Sequence, residues 1–267
     1  MAITINPISP VAFSIAGLDV RWYALAYIAG FVLGYWLIKK MMLSPKSPVR
    51  LDKKQLDDLL SYVIMGVVIG GRLGYVLMYN PWFFVAHPLE IFAVWHGGMS
   101  FHGGLAGVLL ATWLFARKNK VRAWSILDMM AVVVPIGVLC GRIANFINME
   151  VMGRATNVPW AIVFNGETTI PRHPSPIYEA FGEGVLLLAL MVCLYRWTDL
   201  RRYPGALGGI WGMGYAVARI VCEQFRAPDA QIGFLTSWGL TMGTLLSGIM
   251  FVAGAIIFAF ALRKKEA

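Results

Sequence analysis

Long apolar runs separated by short polar stretches dominate this chain. Seven of them lie near 19–41, 58–80, 90–116, 124–147, 176–197, 204–226 and 233–262. At about 1.5 Å of helix per residue, each can cross the ~30 Å hydrocarbon core of a bilayer. Backbone groups in lipid must be satisfied internally, and the alternation of a barrel strand is absent, so the runs predict helices. The last run, "IGFLTSWGLTMGTLLSGIMFVAGAIIFAFAL", carries no charge. Trp22, Trp82, Trp124, Trp160, Trp197 and Trp238 stand near segment ends, as interfacial anchors do. The longest connection, 148–175, contains "AIVFNGETTI", which predicts a small hairpin around Asn165-Gly166. The expectation is a single all-α polytopic membrane domain over 1–267, with seven transmembrane helices and a small extramembrane cap in 148–175. No tandem repeat or low-complexity linker interrupts it.

Composition agrees: 58% of the 267 residues are hydrophobic and only 14% charged. The mean hydropathy is +0.66. A soluble domain carries about a quarter charged residues. The net charge of +9 raises the question of nucleic acid, and its placement argues against that partner. The first connection holds Lys39, Lys40, Lys46, Arg50, Lys53 and Lys54; the third holds Arg117, Lys118, Lys120 and Arg122. The fifth holds Arg196, Arg201 and Arg202, and the C-terminus Arg263, Lys264 and Lys265. These 16 of 23 basic residues fall on alternate sides of successive spans, so that face is cytoplasmic by the positive-inside rule. The N-terminus is then outside and the C-terminus inside, which seven spans satisfy. The first basic residue is Arg21, so the first run reads as a retained span rather than a signal peptide. Cys140, Cys193 and Cys222 sit in apolar runs without metal-like spacing and predict no disulfide.

The other seven basic residues, Arg21, Arg72, Arg142, Arg154, Arg172, Arg219 and Arg226, are all arginine. Topology accepts lysine equally well. Arginine is the better fork for phosphate or carboxylate and keeps its charge. Charges within spans default to a functional reading.

In "GRIANFINMEVMGR", residues 141–154, Arg142, Asn145 and Met149 share a helix face flanked by Asn148. A helix end emerging into water, capped by Asn148, accounts for Asn148 and Glu150 but poorly for Arg142. Arg219, Glu223 and Arg226 form a second face, where Glu223 can bridge both arginines as a buried structural pair. "GGMSFHGGLAG" puts His102 among glycines that permit close helix approach. Histidine as a residue type suits general-base work near neutrality, although a lone His is more often a hydrogen-bonded core residue. His96 and His102 are not on one face, so a metal site is weakly supported. In "RHPSPIYEAFGEG", Ser175 predicts an N-cap and Pro176 the first helical position. Glu179 is partly explained by the helix dipole, and the deeper Glu183 needs a partner, an arginine of another span. Arg72 with Tyr75 and Tyr79 forms a polar seam, and Tyr23 and Tyr27 stand just inside the first span. No lysine lies in a span, and no HExxH or GxSG-type serine is present, so any transfer uses a nucleophile brought by a substrate. The residues alone describe an enzyme or receptor acting on an anionic lipid. A transporter would show paired broken helices and internal symmetry, which are missing.

Together, "RWYALAY", "GGRLGY", "GGMSFHGGL", "GRIANFINMEVMGR", "RHPSPIYE" and "RxxxExFRxPD" at 219–229 resemble the prolipoprotein diacylglyceryl transferase family, in that order and over essentially the whole chain. The resemblance implies seven spans, a periplasmic N-terminus and an active site facing the periplasmic side of the bacterial inner membrane. It implies transfer of a diacylglyceryl group from phosphatidylglycerol to the thiol of a lipobox cysteine in a prolipoprotein signal peptide. A thioether forms, glycerol phosphate is released, and no metal or organic cofactor is required. An anionic phospholipid transporter or receptor without transfer chemistry is the alternative. On the family reading, Arg142 and Arg219 bind the phosphate and stabilise the leaving group, and Asn145 and Tyr27 position the lipid head. His102 is the general base for the thiol or orients it, with an arginine-paired carboxylate or a phosphate oxygen as the other candidate bases. Glu150 and Glu223 orient arginines, and Gly153 gives close backbone approach. Arg226 and Tyr215 join the lipid-binding set; His173, Glu179, Arg72 and Tyr75 stand behind it. The chain departs from the family at Pro176 and Ile177, where Gln-Leu is common, at Met149, where Gly is frequent, and at Ala24.

Overall fold

A computed structural model describes the chain apart from residues 1, 16, 80, 95–96, 229–232, 238 and 264–267. His96 and Trp238 lie outside the described residues. The elements are β1 (Ile3–Ile5), β2 (Val11–Ile15), β3 (Leu18–Arg21), α1 (Trp22–Met42), α2 (Lys53–Tyr79), α3 (Pro81–Ala86), α4 (Phe101–Asn119), α5 (Ala123–Ile147), β4 (Ile162–Phe164), α6 (Ser175–Glu179), α7 (Leu187–Trp197), α8 (Ala206–Glu223) and α9 (Met242–Arg263). A π-helical stretch, Ala180–Leu186, joins α6 to α7 into one continuous rod.

Among the described residues, five helices are long and apolar enough to cross a membrane: Trp22–Met42, Lys53–Tyr79, Ala123–Ile147, Ser175–Trp197 and Met242–Arg263. The chain is a mostly helical, multi-pass membrane protein. α4 and α8, which the apolar pattern reads as two further spans, are not among the five. Both carry several glycines along with charged or polar residues, and both bury their small residues against a neighbouring helix. The expected run 90–116 is also only partly helical at its start, because a 3₁₀ turn, Pro88–Phe92, precedes α4.

The chain divides into two compact units, Met1–Ile38 with Asp128–Ala267, and Lys39–Leu127. In the unit 39–127, α2 packs on α4 through facing glycines. A Cβ at Gly74 would lie 2.6 Å from Gly103 Cα, and one at Gly70 would lie 2.8 Å from Gly107 Cα. The Gly-xxx-Gly spacing lets the backbones touch, which supplies dispersion contact where lipid offers no hydrophobic drive. Leu56, Leu59 and Phe115 fill the remaining core of this unit.

In the other unit α8 packs on α9 by the same device: a Cβ at Gly209 would lie 2.7 Å from the Gly254 carbonyl oxygen. The α8 N-terminus is capped by the buried Asp128 of α5, whose two oxygens accept from Gly205 N and Gly208 N at 2.7 Å each. A carboxylate there satisfies orphan N–H groups and meets the positive end of the helix dipole. Large apolar side chains such as Trp36, Ile249, Val252 and Phe260 stay exposed, as a lipid-facing surface requires.

The hairpin expected around Asn165-Gly166 is different in kind. The chain does turn there, with Glu167 N and Thr168 N donating to the Phe164 carbonyl, and it returns to a single bridge between Ile162 and Arg172. The strand itself, β4, instead pairs in parallel with β1, Ile3 to Ile162 and Ile5 to Phe164. A second short ribbon, β2 with β3, precedes α1 and has no counterpart in the sequence reading.

Candidate active site

α5 ends directly after its polar stripe. Glu150 N donates to the Asn145 carbonyl at 2.8 Å and Met149 N to the Phe146 carbonyl at 3.0 Å, the paired bonds of a Schellman end. Met149 takes φ +58, the left-handed position where glycine is at no disadvantage. Met149 therefore leaves the helix, and the expected Arg142–Asn145–Met149 stripe stops at Asn145. Val151 is also left-handed, at φ +50, which is costly for a β-branched residue. The buried Ser175 hydroxyl donates to its carbonyl at 2.7 Å and holds the turn. Ser175 thus pins this loop instead of capping α6. Glu150 accepts from the carboxamides of Asn145 at 2.8 Å and Asn148 at 3.3 Å, where an arginine partner is expected. It holds the carboxamide stripe in place.

Behind that turn lies a cluster of buried charge. Arg142 donates from Nε at 3.1 Å and from one terminal nitrogen at 2.9 Å to a single oxygen of Glu183. Its other terminal nitrogen is 2.8 Å from Glu179. Arg219 lies 3.0 Å from Glu179, 3.7 Å from Glu183 and 2.7 Å from Glu223. Arg226 is 3.4 Å from Glu179. Glu179 and Glu183 are fully buried. Three guanidinium groups thus face three carboxylates, and the charges cancel when all are ionised. Glu223 meets Arg219 as the spacing predicts and also accepts from the Thr241 hydroxyl at 2.9 Å. Glu179 is the centre of the cluster, touching all three arginines, a rank its place near a helix start conceals. Tyr215 stacks on Trp211, with ring centroids 5.6 Å apart.

Gly153 threads between two backbones. A Cβ there would lie 2.6 Å from the Phe225 carbonyl oxygen, so a side chain would separate the strands. Gly153 N donates to the His173 carbonyl at 2.9 Å, and Arg154 N to that of Phe225 at 2.8 Å. The Arg154 side chain donates to the Arg226 carbonyl at 2.9 Å and closes the end of α8. His173 packs on the Phe225 and Tyr178 rings. The Tyr178 hydroxyl accepts from Trp160 Nε1 at 2.6 Å, which leaves its own hydrogen for His173 Nδ1 at 3.1 Å. Burial pushes the His173 pKa below its ordinary value. Tyr27 is half exposed, its ring centroid 5.2 Å from that of Tyr23.

The remaining expected site residues belong to the unit 39–127. Arg72 donates from Nε to the Ile91 carbonyl at 2.8 Å and from its terminal nitrogens to the carbonyls of Glu90, Gly97 and Gly98. Its charge lies over the Phe84 and Tyr75 rings. Arg72 is the clasp of the loop leading into α4, beside a cavity of about 300 Å³. Ser100 caps α4 by accepting from Gly103 N at 3.2 Å, and His102 follows in the first turn, exposed.

A family model described as prolipoprotein diacylglyceryl transferase matches residues 10–260. The chain belongs to the prolipoprotein diacylglyceryl transferase family. It is 49% identical to a phosphatidylglycerol–prolipoprotein diacylglyceryl transferase of Methylocella silvestris, over 97% of this chain and 95% of the relative. A protein of the same name from Rhodospirillum rubrum is 48% identical, over 99% and 96% of the two chains. One from Azospirillum brasilense is 47% identical, over 100% and 99%. Membership favours a transferase over the transporter or receptor alternative.

Asp128 and Thr241 carry no sequence signature of their own roles, though each has a definite partner. Of the two, only the carboxylate at 128, within "SILDMMAVVV", stands out in the sequence at all.

Proposed function

We propose that this chain transfers the diacylglyceryl group of phosphatidylglycerol to the thiol of a lipobox cysteine in a prolipoprotein signal peptide. The sulfur attacks the glycerol carbon that carries the phosphate. One C–O bond breaks, one C–S bond forms, and glycerol phosphate leaves with the electron pair. The thiol proton passes to a base, for which His102 is the candidate.

The observation that carries this reading is the part-buried pair Arg142 and Arg219, bridged by the fully buried Glu179 within a member of this family. A guanidinium pre-set in a low-dielectric site stabilises the charge that grows on a departing phosphate and needs no reorganisation to do so. Because the cluster is already balanced, an incoming phosphate engages donors that the carboxylates leave over. Arg219 offers one: a terminal nitrogen close to both Glu179 and Glu183 aligns a hydrogen bond with neither. Asn145, Gly153 and Tyr27 complete the head-group site in this reading, with Tyr215 and Arg226 behind the arginines.

The charge alternation along the sequence supports seven spans with the N-terminus outside. It supports a site opening to the periplasmic side of the inner membrane, and a cap formed by 148–175.

The test is an incubation of the purified protein with labelled phosphatidylglycerol and a lipobox peptide. Glycerol phosphate and a mass-shifted peptide are expected with the cysteine peptide and not with its Cys→Ser form. Lipid binding without either product overturns the transfer reading. In the same assay His102→Gln is expected to lose turnover about 100-fold; near-full turnover removes the base role.

A further inference from the structure

Glu183 is absent from the roles above, and its surroundings are built around it. It sits fully buried in the π-helical stretch Ala180–Leu186, between Gly182 and Gly184 and just before the apolar run of α7. Nothing about crossing a membrane calls for a carboxylate there, and a buried carboxylate costs several kcal/mol unless it is matched. π turns are rare and concentrate at functional sites.

The local packing brings this side chain to α5. A Cβ at Gly184 would lie 2.8 Å from Leu139 Cβ and 3.0 Å from Leu139 Cα, so a residue without a side chain permits the approach. One turn along α5 from Leu139 is Arg142. The two oxygens of Glu183 then do different things. Oε2 accepts twice from Arg142, from Nε at 3.1 Å and from a terminal nitrogen at 2.9 Å. Oε1 makes no hydrogen bond and faces a terminal nitrogen of Arg219 at 3.7 Å. Glu179 makes a parallel bridge four residues earlier, with one oxygen 2.8 Å from Arg142 and the other 3.0 Å from Arg219. Two guanidinium groups that repel each other are thereby held side by side. Glu179 restrains only a terminal nitrogen of Arg142, and Glu183 alone holds its Nε edge.

We propose that Glu183 is a positioning residue, which fixes the orientation of the Arg142 guanidinium and its spacing from Arg219 for a lipid phosphate. The inference rests on the transfer reading above. Glu183 touches no reacting atom in it and acts through Arg142.

The experiment compares full-length wild type, Glu183→Gln and Glu183→Asp in the lipobox-peptide assay. It measures kcat and KM for phosphatidylglycerol per folded molecule, with the folded fraction taken from thermal melts. Gln keeps the volume but loses the charge and sets an amide N–H₂ against a guanidinium. Asp keeps the charge but withdraws it by one methylene. A displacement near 1 Å costs about 100-fold. The expected result for Gln is a KM raised about tenfold together with a kcat lowered about tenfold. Asp is expected to fall between Gln and wild type. If Gln does not fold, Asp decides alone.

A merely structural ion pair lowers the folded fraction and leaves KM alone. Unchanged KM with kcat per folded molecule within threefold of wild type therefore overturns the inference. Failure of the wild type to modify the thiol overturns the transfer reading instead, which separates the two.

Discussion

Arg72 and Arg142 pose the same problem, a permanent cation inside an apolar helix, and the two units solve it differently. Around Arg72 the partners are backbone carbonyls of one loop and two aromatic rings. Carbonyl dipoles satisfy the donors and hold the loop, but they cannot be exchanged for a ligand without unmaking the loop. Around Arg142 the partners are side-chain carboxylates on neighbouring helices, which balance its charge and leave the backbone intact. Side-chain partners can yield some of their hydrogen bonds to a phosphate while the fold persists. The first arrangement suits architecture, and the second suits a site where an anion comes and goes.

The comparison breaks most sharply at Glu179. Glu179→Gln leaves three arginines short of a counter-charge. Removing one partner from a buried ionic network costs about 3–5 kcal/mol. The variant is expected to lose that much in unfolding measurements, along with nearly all transfer. Intact activity would mean that the carboxylates do not organise the arginines at all.

Arg72→Lys tests the other side. Lysine keeps the charge but cannot reach four carbonyls with one ammonium. A loss of about 2 kcal/mol is expected, read as a lowered thermal midpoint, since hydrogen bonds to a charged donor are worth about 1.5–3 kcal/mol each. A raised KM for phosphatidylglycerol without loss of stability would place Arg72 in the lipid site and erase the distinction.

The smallest effect is expected next to Arg142, at the end of α5. Met149→Gly relieves a left-handed φ of +58. A side chain in that region costs about 1–2 kcal/mol, partly offset by the extra freedom of glycine in the unfolded chain. The variant is expected to gain about 1 kcal/mol or less in a thermal melt. Destabilisation would mean that the methionine side chain packs well enough to outweigh its backbone strain.

Some of this site could be read in one dimension. The i, i+4 spacing of Arg219 and Glu223 is a property of a single helix, and they do meet, at 2.7 Å. That Glu183 needs an arginine followed from the cost of a buried charge. Which arginine did not follow, because Arg142 lies 41 residues away and reaches it through the contact of Gly184 with Leu139. The resemblance implies that Glu150 orients arginines, whereas the Schellman turn points it at Asn145 and Asn148.

The apolar runs by themselves determined a multi-pass helical protein, since lipid allows a lone segment no other way to satisfy its backbone. The ordered motifs determined the family, because residue identities at fixed spacing need no coordinates. The tertiary structure decided how each arginine of the cluster is neutralised, that β4 pairs with β1 across more than half of the chain, and that Glu179 is the centre of the charge cluster. Those outcomes depend on distances between residues far apart in sequence, and a buried charge finds its partner only where packing brings two helices together.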